Sequence, residues 1–543
     1  MPGATAVNPI LRGFHPDPSL LRVGDDYYIA TSTFEWFPGV LVYHSRDLAR
    51  WTLQGAPLDR TSLLDLRGCP DSGGVWAPCL SHDGKLFHLV YTVVRRKEGS
   101  FKDTPNFLTS SPSIEGPWSP PVPLNASGFD PSLFHDADGR KWLLNMVWDH
   151  RRHPSRVDGD ATVRFAGIDL QEYDPGQRTL VGEPRRIFHR GPRGYTEGPH
   201  LYRRGSWYYL LVAEGGTGLG HAALFARSRR IEGPYVPDPH GYVLTANPAQ
   251  SPLLRAGHAS IASTPDGRWF LAHLCSRPLP GRGRSVMGRE TALQALEWPE
   301  DGWPRLAGGG SEPKIRVETG QIGRAEAHVP IEEYLNFESG ALPPLHYQTP
   351  RQARNETFIS IRERPGYLRL KGRESLGSTF EQTLVARRQQ AFRYRAETEV
   401  EFEPRSFQQM AGLVCYYDRT KHIYLHITSA DGSRVLDLLM AEADQEVHYP
   451  IPRAITLSPS DSISLRADVD YDVVRLFFRD GVRPWSFVAE LDYSILSDEV
   501  GSGGSGAHFT GAFVGIACQD LTGQSRAADF SRFSYVEKAE DPI

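Results

Sequence analysis

The chain has little cysteine, no long apolar run and no charge of one sign in excess, and each shortage removes a class of protein. Its five cysteines, Cys69, Cys79, Cys275, Cys415 and Cys518, are odd in number, scattered and without CxxC spacing. That pattern excludes a disulfide framework and a cysteine zinc site, and it suits a reducing compartment in which each thiol is a small buried apolar group. No segment approaches the ~18 uninterrupted apolar residues of a membrane span. The opening MPGATAVNPILRGFHP has neither a basic nor an apolar leader region, so a soluble cytoplasmic protein is expected. Sixty basic and 65 acidic residues are mixed along the chain, for a net charge of -5, which gives no electrostatic case for a nucleic-acid or membrane partner. GxxxxGK[ST], HExxH and GxSxG are missing. GLGHAA from Gly218 fits GxGxxA, yet no βαβ alternation follows it, so dinucleotide binding is excluded as well.

What is present is repetition. Asp17-Pro-Ser-Leu, Ala77-Pro-Cys-Leu, Asp130-Pro-Ser-Leu, Gly198-Pro-His-Leu and His258-Ala-Ser-Ile start at steps of 60, 53, 68 and 60 residues. After each comes a Gly/Asp turn and an aromatic strand: GDDYYIATS, DGKLFHLVYT, DGRKWLLNMV, RGSWYYLLVAE and DGRWFLAHL. Each unit reads as a hairpin, and helical periodicity is nearly absent. Five such units predict a five-bladed β-propeller. At 543 residues the chain is too long for one core, and two domains are expected. The boundary falls in PRLAGGGSEPKIRVETGQIGRAEAHVP, where glycine, proline and charge replace the aromatic repeats. The propeller is placed at residues 6–312. Residues 328–543, with alternating segments such as FRYRAETEVEFEP, AGLVCYYD and KHIYLHITS, read as a jelly-roll-like β-sandwich. The fold class is all-β. GSGGSG from Gly501 reads as a surface loop, because β-rich sequence continues on both sides.

In a propeller the first strand of each blade lines the central axis. Asp17, Trp76, Asp130, Glu197 and His258 therefore converge, although Trp76 and Glu197 precede the aligned position by one residue. A single Asp-Pro is most simply a turn, but three acids at repeat starts point to chemistry. The proline that follows Asp17 and Asp130 is expected to aim each acid rigidly into the channel mouth.

HPDPSLLRVGDDYYIATSTFEWFPGV, GGVWAP, GFDPSLF, YTEGPHLY, GHAS and MGRETAL, in this order, resemble the β-xylosidases of glycoside hydrolase family 43. AGLVCYYD and HFTGAFVGIACQDLTG are similar to the sandwich appended to that group. The resemblance implies an inverting exo-glycosidase acting on 1,4-β-D-xylosides, with side activity on α-L-arabinofuranosides. It makes Asp17 the general base, Asp130 the acid that tunes pKa and orientation, and Glu197 the general acid. Such chemistry needs two carboxyl groups about 6.5 to 9.5 Å apart, so that a water fits between base and sugar. It also needs their pKa values separated, for which a neighbouring anion such as Asp130 serves.

The same resemblance marks Phe34 and Trp76 as aromatic walls of the sugar site, against the plainer reading of core filling. Arg289 matches the arginine that holds sugar hydroxyls, against a surface ion pair. His258 orders water or an ion, against a structural imidazole; some relatives hold calcium there, so calcium is considered at this position and no other cofactor is required. The loop around Phe509 is expected to help close the pocket, against Phe509 filling the sandwich core. A homo-oligomer, dimer or tetramer, is expected, with xylooligosaccharide as substrate. The competing functions are an α-L-arabinofuranosidase and a non-catalytic carbohydrate-binding propeller, and the latter has no need of three acids.

Overall fold

The structure, a computed structural model, describes residues 3–152, 161–322, 328–355, 357–443, 446–459, 462–501 and 508–539. Most of the GSGGSG segment therefore lies outside the described residues. The chain divides into two compact units, one of residues 1–64, 73–277 and 289–327 and the other of residues 65–72, 278–288 and 328–543.

The first unit is a five-bladed propeller, each blade an antiparallel sheet of four strands, with Leu244–Thr245 added to the fourth. The innermost strands are Ser19–Val23, Gly74–His82, Ser132–His135, Glu197–Arg204 and Leu254–Ser263. Each pairs with the aromatic strand that follows it: Asp26–Thr31, Phe87–Val94, Lys141–Trp148, Trp207–Glu214 and Trp269–Ser276. These second strands read as unbroken apolar runs because both faces are covered. In Trp207–Glu214, Leu210 and Val212 pack toward the third blade, while Tyr209 and Leu211 pack toward the fifth. The propeller thus has wedge-shaped cores between blades rather than one central core.

Serine hydroxyls at the axis tie one blade to the next. Ser260 Oγ donates to Pro18 O at 2.6 Å and accepts from Leu20 N–H at 2.8 Å, and Ser19 Oγ accepts from Leu80 N–H at 2.9 Å. Each such bond contributes about 1 kcal/mol net. The two ends of this unit meet at Asn8. Its amide donates to Leu293 O and Lys314 O, both at 2.7 Å, and its Oδ1 accepts from Leu293 N–H at 2.8 Å. Beside them strand Gly3–Val7 pairs with Arg316–Ile322.

The second unit is a sandwich of two antiparallel sheets. One centres on Ala527–Glu537 and Arg393–Glu401, the other on Gln409–Asp418 and Phe513–Asp520. Along Arg393–Glu401 buried and half-buried residues alternate strictly, so Tyr394, Ala396, Thr398 and Val400 face the core, the period expected of a strand with one buried face. Residues 65–72 join this unit through Arg351, a fully buried guanidinium that donates to Asp71 Oδ1 at 2.6 Å and to Cys69 O at 2.8 Å.

Candidate active site

The five aligned repeat positions share a backbone feature that sequence alignment alone leaves hidden. Asp17 (φ 54°), Ala77 (φ 36°), Asp130 (φ 56°), Gly198 (φ 57°) and His258 (φ 44°) all adopt the left-handed conformation. A residue before proline ordinarily takes an extended conformation, so at Asp17 and Asp130 a left-handed backbone adds to the constraint expected from the proline. A left-handed residue turns the chain into the innermost strand, and proline follows it in four of the five blades. Aspartate and histidine tolerate this geometry better than most residues, and glycine adopts it freely. At Gly198 the need is strict, because a Cβ there would lie 2.9 Å from His258 Nε2. This explains the one-residue offset of Glu197: glycine occupies the aligned position, and the acid stands immediately before it, on a bulge between Glu197 and His200.

Asp17, Asp130 and His258 border one small recess on the axis, with Gly198 and His200. Asp17 Oδ2 accepts from Ser32 Oγ at 2.6 Å, and Asp17 Oδ1 stands 3.4 Å from His258 Nδ1. Ser32 Oγ in turn accepts from Ala77 N–H at 2.8 Å, so one hydroxyl fixes the carboxylate of blade one to the start of blade two. Asp130 Oδ2 accepts from Gly198 N–H at 3.0 Å.

The electrostatics separate the acids. Burial pushes the Asp130 carboxyl up to about 6; the Asp17 charge adds to this, while His258 and the Gly198 N–H oppose it. Burial raises Glu197 well above the usual carboxylate range, and the charges of Asp130 and Asp17 raise it further, against the pull of Arg289 and Lys102. A buried carboxyl beside other acids keeps its proton to higher pH than a free one, which suits Glu197 to donating it.

A belt of aromatic rings runs beside these acids. Phe14 stacks on Phe34 with centroids 5.4 Å apart, Phe34 meets Trp76 edge-on at 6.2 Å, and Trp76 meets Phe129 at 5.3 Å. Beyond Phe129, Phe165 contacts Trp148 at 5.5 Å and Tyr195 at 5.0 Å. Phe34 is itself left-handed (φ 50°) and is held by paired backbone bonds with Val75, both 3.0 Å. Trp76 is half-buried, which leaves an indole surface for an apolar partner. Arg289 is 3% exposed and donates to Thr217 Oγ1 at 3.0 Å.

Phe509 belongs to the second unit, where it is half-buried and its N–H donates to Ser72 Oγ at 2.9 Å; its neighbour His508 stands 3.0 Å from the buried Asp418. Among the described residues no three His, Cys, Asp or Glu side chains gather as a metal ligand set. Calcium, considered near His258 from the sequence, would have to draw most of its oxygen ligands from backbone carbonyls and water, and no step is routed through it.

Sequence reasoning missed Ser32, Thr217, Lys102 and His221. Lys102 Nζ donates to Lys97 O at 2.6 Å and lies 4.5 Å from the Trp148 ring, with its pKa lowered by burial to about 8. His221 covers the backbone ahead of His258 so closely that a Cβ on Gly257 would lie 2.2 Å from its Cδ2. Thr217 and His221 lie in and beside GLGHAA, which reads as a failed nucleotide motif, and Ser32 lies in an unremarkable ATSTF.

Residues 6–304 match the model of glycosyl hydrolases family 43, and residues 335–536 match the β-xylosidase C-terminal concanavalin A-like domain. The chain belongs to glycoside hydrolase family 43. This family 43 enzyme is 48% identical over 536 residues to a xylosidase/arabinosidase of Humicola insolens, covering 97% of each chain. It is 44% identical to a β-xylosidase of Bacillus subtilis, over 98% of this chain and 99% of that one. It is 41% identical to a xylan 1,3-β-xylosidase of a Vibrio species, over 98% and 99% of the two chains. Among solved structures, a xylan β-1,4-xylosidase from Bacillus halodurans C-125 superposes with a TM-score of 0.93 at 46% identity, covering 98% of this chain and 100% of that one.

Proposed function

We propose that this glycosidase is an exo-acting, inverting β-xylosidase that releases D-xylose from the non-reducing end of 1,4-β-xylooligosaccharides, with α-L-arabinofuranosidase side activity. The observation that carries the reading is the pairing of a hydrogen-bonded carboxyl at Asp17 with a buried carboxyl of raised pKa at Glu197. Asp17 is held by Ser32 and faces His258, while burial and the charges of Asp130 and Asp17 raise the pKa of Glu197.

In this scheme Asp17 takes a proton from water as the water attacks the anomeric carbon, and Glu197 gives its proton to the departing glycosidic oxygen. Asp130 touches neither proton. Its charge raises Glu197 and its bond to the Gly198 N–H orients the segment that carries the acid. Arg289 supplies a planar set of donors to sugar hydroxyls, and the indole of Trp76 offers an apolar face to the ring. The relatives' names support xylosides and arabinosides, and they support both 1,4 and 1,3 linkages. Five buried cysteines with no disulfide among them support an enzyme working in a reducing compartment.

Parallel assays on 4-nitrophenyl β-D-xyloside and 4-nitrophenyl α-L-arabinofuranoside, with 1,4- and 1,3-linked xylobiose, test the substrate; higher kcat/KM on the xyloside and on the 1,4 dimer is expected. Proton NMR of early xylobiose hydrolysis tests the stereochemistry, with α-xylose appearing first. Initial β-xylose overturns inversion.

A further inference from the structure

The repeat that places acids at one end of the propeller axis places arginine, histidine and serine side chains at the other. The fifth residue after each left-handed position is Arg22, His82, His135, Arg203 and Ser263 in blades one to five. Five residues of strand span about 16 Å, so this ring lies at the opposite mouth of the channel. There it borders a cavity of about 330 Å³, to which all five blades contribute. His200 lines both this cavity and the recess below the acids, and so forms the floor between them.

The lining is chemically one-sided. Two arginines and three histidines face the cavity together with serine hydroxyls, and no Asp or Glu lines it, in a protein whose net charge is -5. The carboxylates nearby sit behind the ring and occupy only part of it. Asp136 takes one Nη of Arg203 at 2.7 Å, and Asp83 takes Lys141 at 2.6 Å. Arg22 gives Nη1 to Gly24 O at 2.9 Å. The tautomers are fixed outward as well. His82 Nδ1 accepts from Gly84 N–H at 3.1 Å, which leaves Nε2 as its donor, and the Lys141 ammonium at His135 Nδ1, 3.2 Å away, leaves Nε2 of that ring as the donor to Ser81. Ser132 Oγ, 3% exposed, has no protein partner. Arginine with imidazole and hydroxyl donors, and no carboxylate in the lining itself, is a donor set that recognises a tetrahedral oxyanion. Phe134 and Trp269 add an apolar wall, against which a small carrier of such a group would rest.

We propose that the mouth of the channel opposite the catalytic acids is a binding site for a phosphate-type oxyanion, free or carried on a small sugar. The site is separate from hydrolysis, so its test does not depend on the substrate assigned above. Full-length enzyme is titrated with inorganic phosphate, and separately with ribose 5-phosphate, at ionic strength held constant with chloride, and binding is followed by calorimetry and by the thermal midpoint. Saturable binding in the millimolar range and a rising midpoint are expected. Stronger binding of inorganic phosphate identifies the free ion, and stronger binding of ribose 5-phosphate identifies the sugar-borne group.

Arg22→Ala and His82→Glu alter half-buried rim side chains. Each is expected to weaken binding about tenfold or more, while the midpoint without phosphate and kcat/KM on the aryl xyloside stay unchanged. Absence of saturable binding overturns the proposal, as does equal binding by both variants. So does competitive inhibition by phosphate with the same constant, which would put the anion at Arg289.

Discussion

The carboxylate of Asp130 accepts the backbone N–H of Gly198 at 3.0 Å, one residue from Glu197. Asp130 therefore reaches Glu197, the proposed proton donor, in two ways, through its charge and through the chain beside it. Asp130→Asn removes the charge. Glu197 has its pKa raised in part by that charge, so the pKa falls, and the alkaline limb of kcat/KM, where Glu197 loses its proton, moves to lower pH. A pH–rate profile of the variant checks this; an unmoved alkaline limb removes Asp130 from the tuning role.

Stability should follow the same groups. Asp130 and Glu197 both have folded-state pKa values raised above their unfolded ones. Their neutral forms are stable in the fold, and that stability is present at low pH and lost as pH rises through the folded values. For Asp130 the loss begins near the unfolded value of about 4 and continues through the folded value of about 6. Denaturant unfolding between pH 5 and 8 is expected to show stability declining, with a flatter decline in Asp130→Asn.

Glu197→Ala and Asp17→Ala should part company on leaving group. An aryl leaving group of low pKa departs without a proton, so Glu197→Ala keeps a larger fraction of activity on 4-nitrophenyl xyloside than on xylobiose, by about tenfold or more. Asp17→Ala loses both alike, because water activation is common to both substrates. Steady-state rates on the two substrates decide it.

Ser32 serves two partners, donating to Asp17 and accepting from Ala77 N–H. Ser32→Ala leaves a buried N–H unsatisfied, which costs about 1–3 kcal/mol, and frees the Asp17 carboxylate to rotate. A lower thermal midpoint and a reduced kcat are expected, with Ser32→Thr restoring part of both.

Gly257 and His221 form a pair that can be tested as a cycle. Gly257→Ala drives a methyl into the imidazole, 2.2 Å from Cδ2, and displaces the strand just before His258. The single variant should lose stability by about 1–3 kcal/mol, as overpacked sites do, and lose kcat with it. His221→Ala clears the space, so the double variant should recover both. Additive losses would show that the two sites do not act through each other.

The blades were legible because their pattern is local. GDDYYIATS and RGSWYYLLVAE carry a turn and an aromatic strand in the residues themselves, and the structure pairs them as hairpins. Asp17, Asp130 and Glu197 were legible because three acids recur at repeat starts. The left-handed backbone at those starts was not, since Ala77 and Gly198 share no side-chain chemistry with Asp17. Nor were Ser32, Thr217 and His221, whose roles arise from neighbours 15 to 72 residues away in sequence. A serine in ATSTF carries no mark of the carboxylate it will meet.

The left-handed turn at each blade start makes five equivalent sockets around one axis, and each socket filters by conformation before it selects by chemistry. Of the residues that tolerate the turn, aspartate and histidine also carry reactive groups, and glycine lends its place to the residue before it. Reactivity here could settle only where backbone tolerance and side-chain chemistry coincide. An attempt to redistribute the acids among the blades would therefore meet less backbone strain at Ala77 with Asp, Asn or His than with Glu or a β-branched residue, whatever the charge wanted at that place.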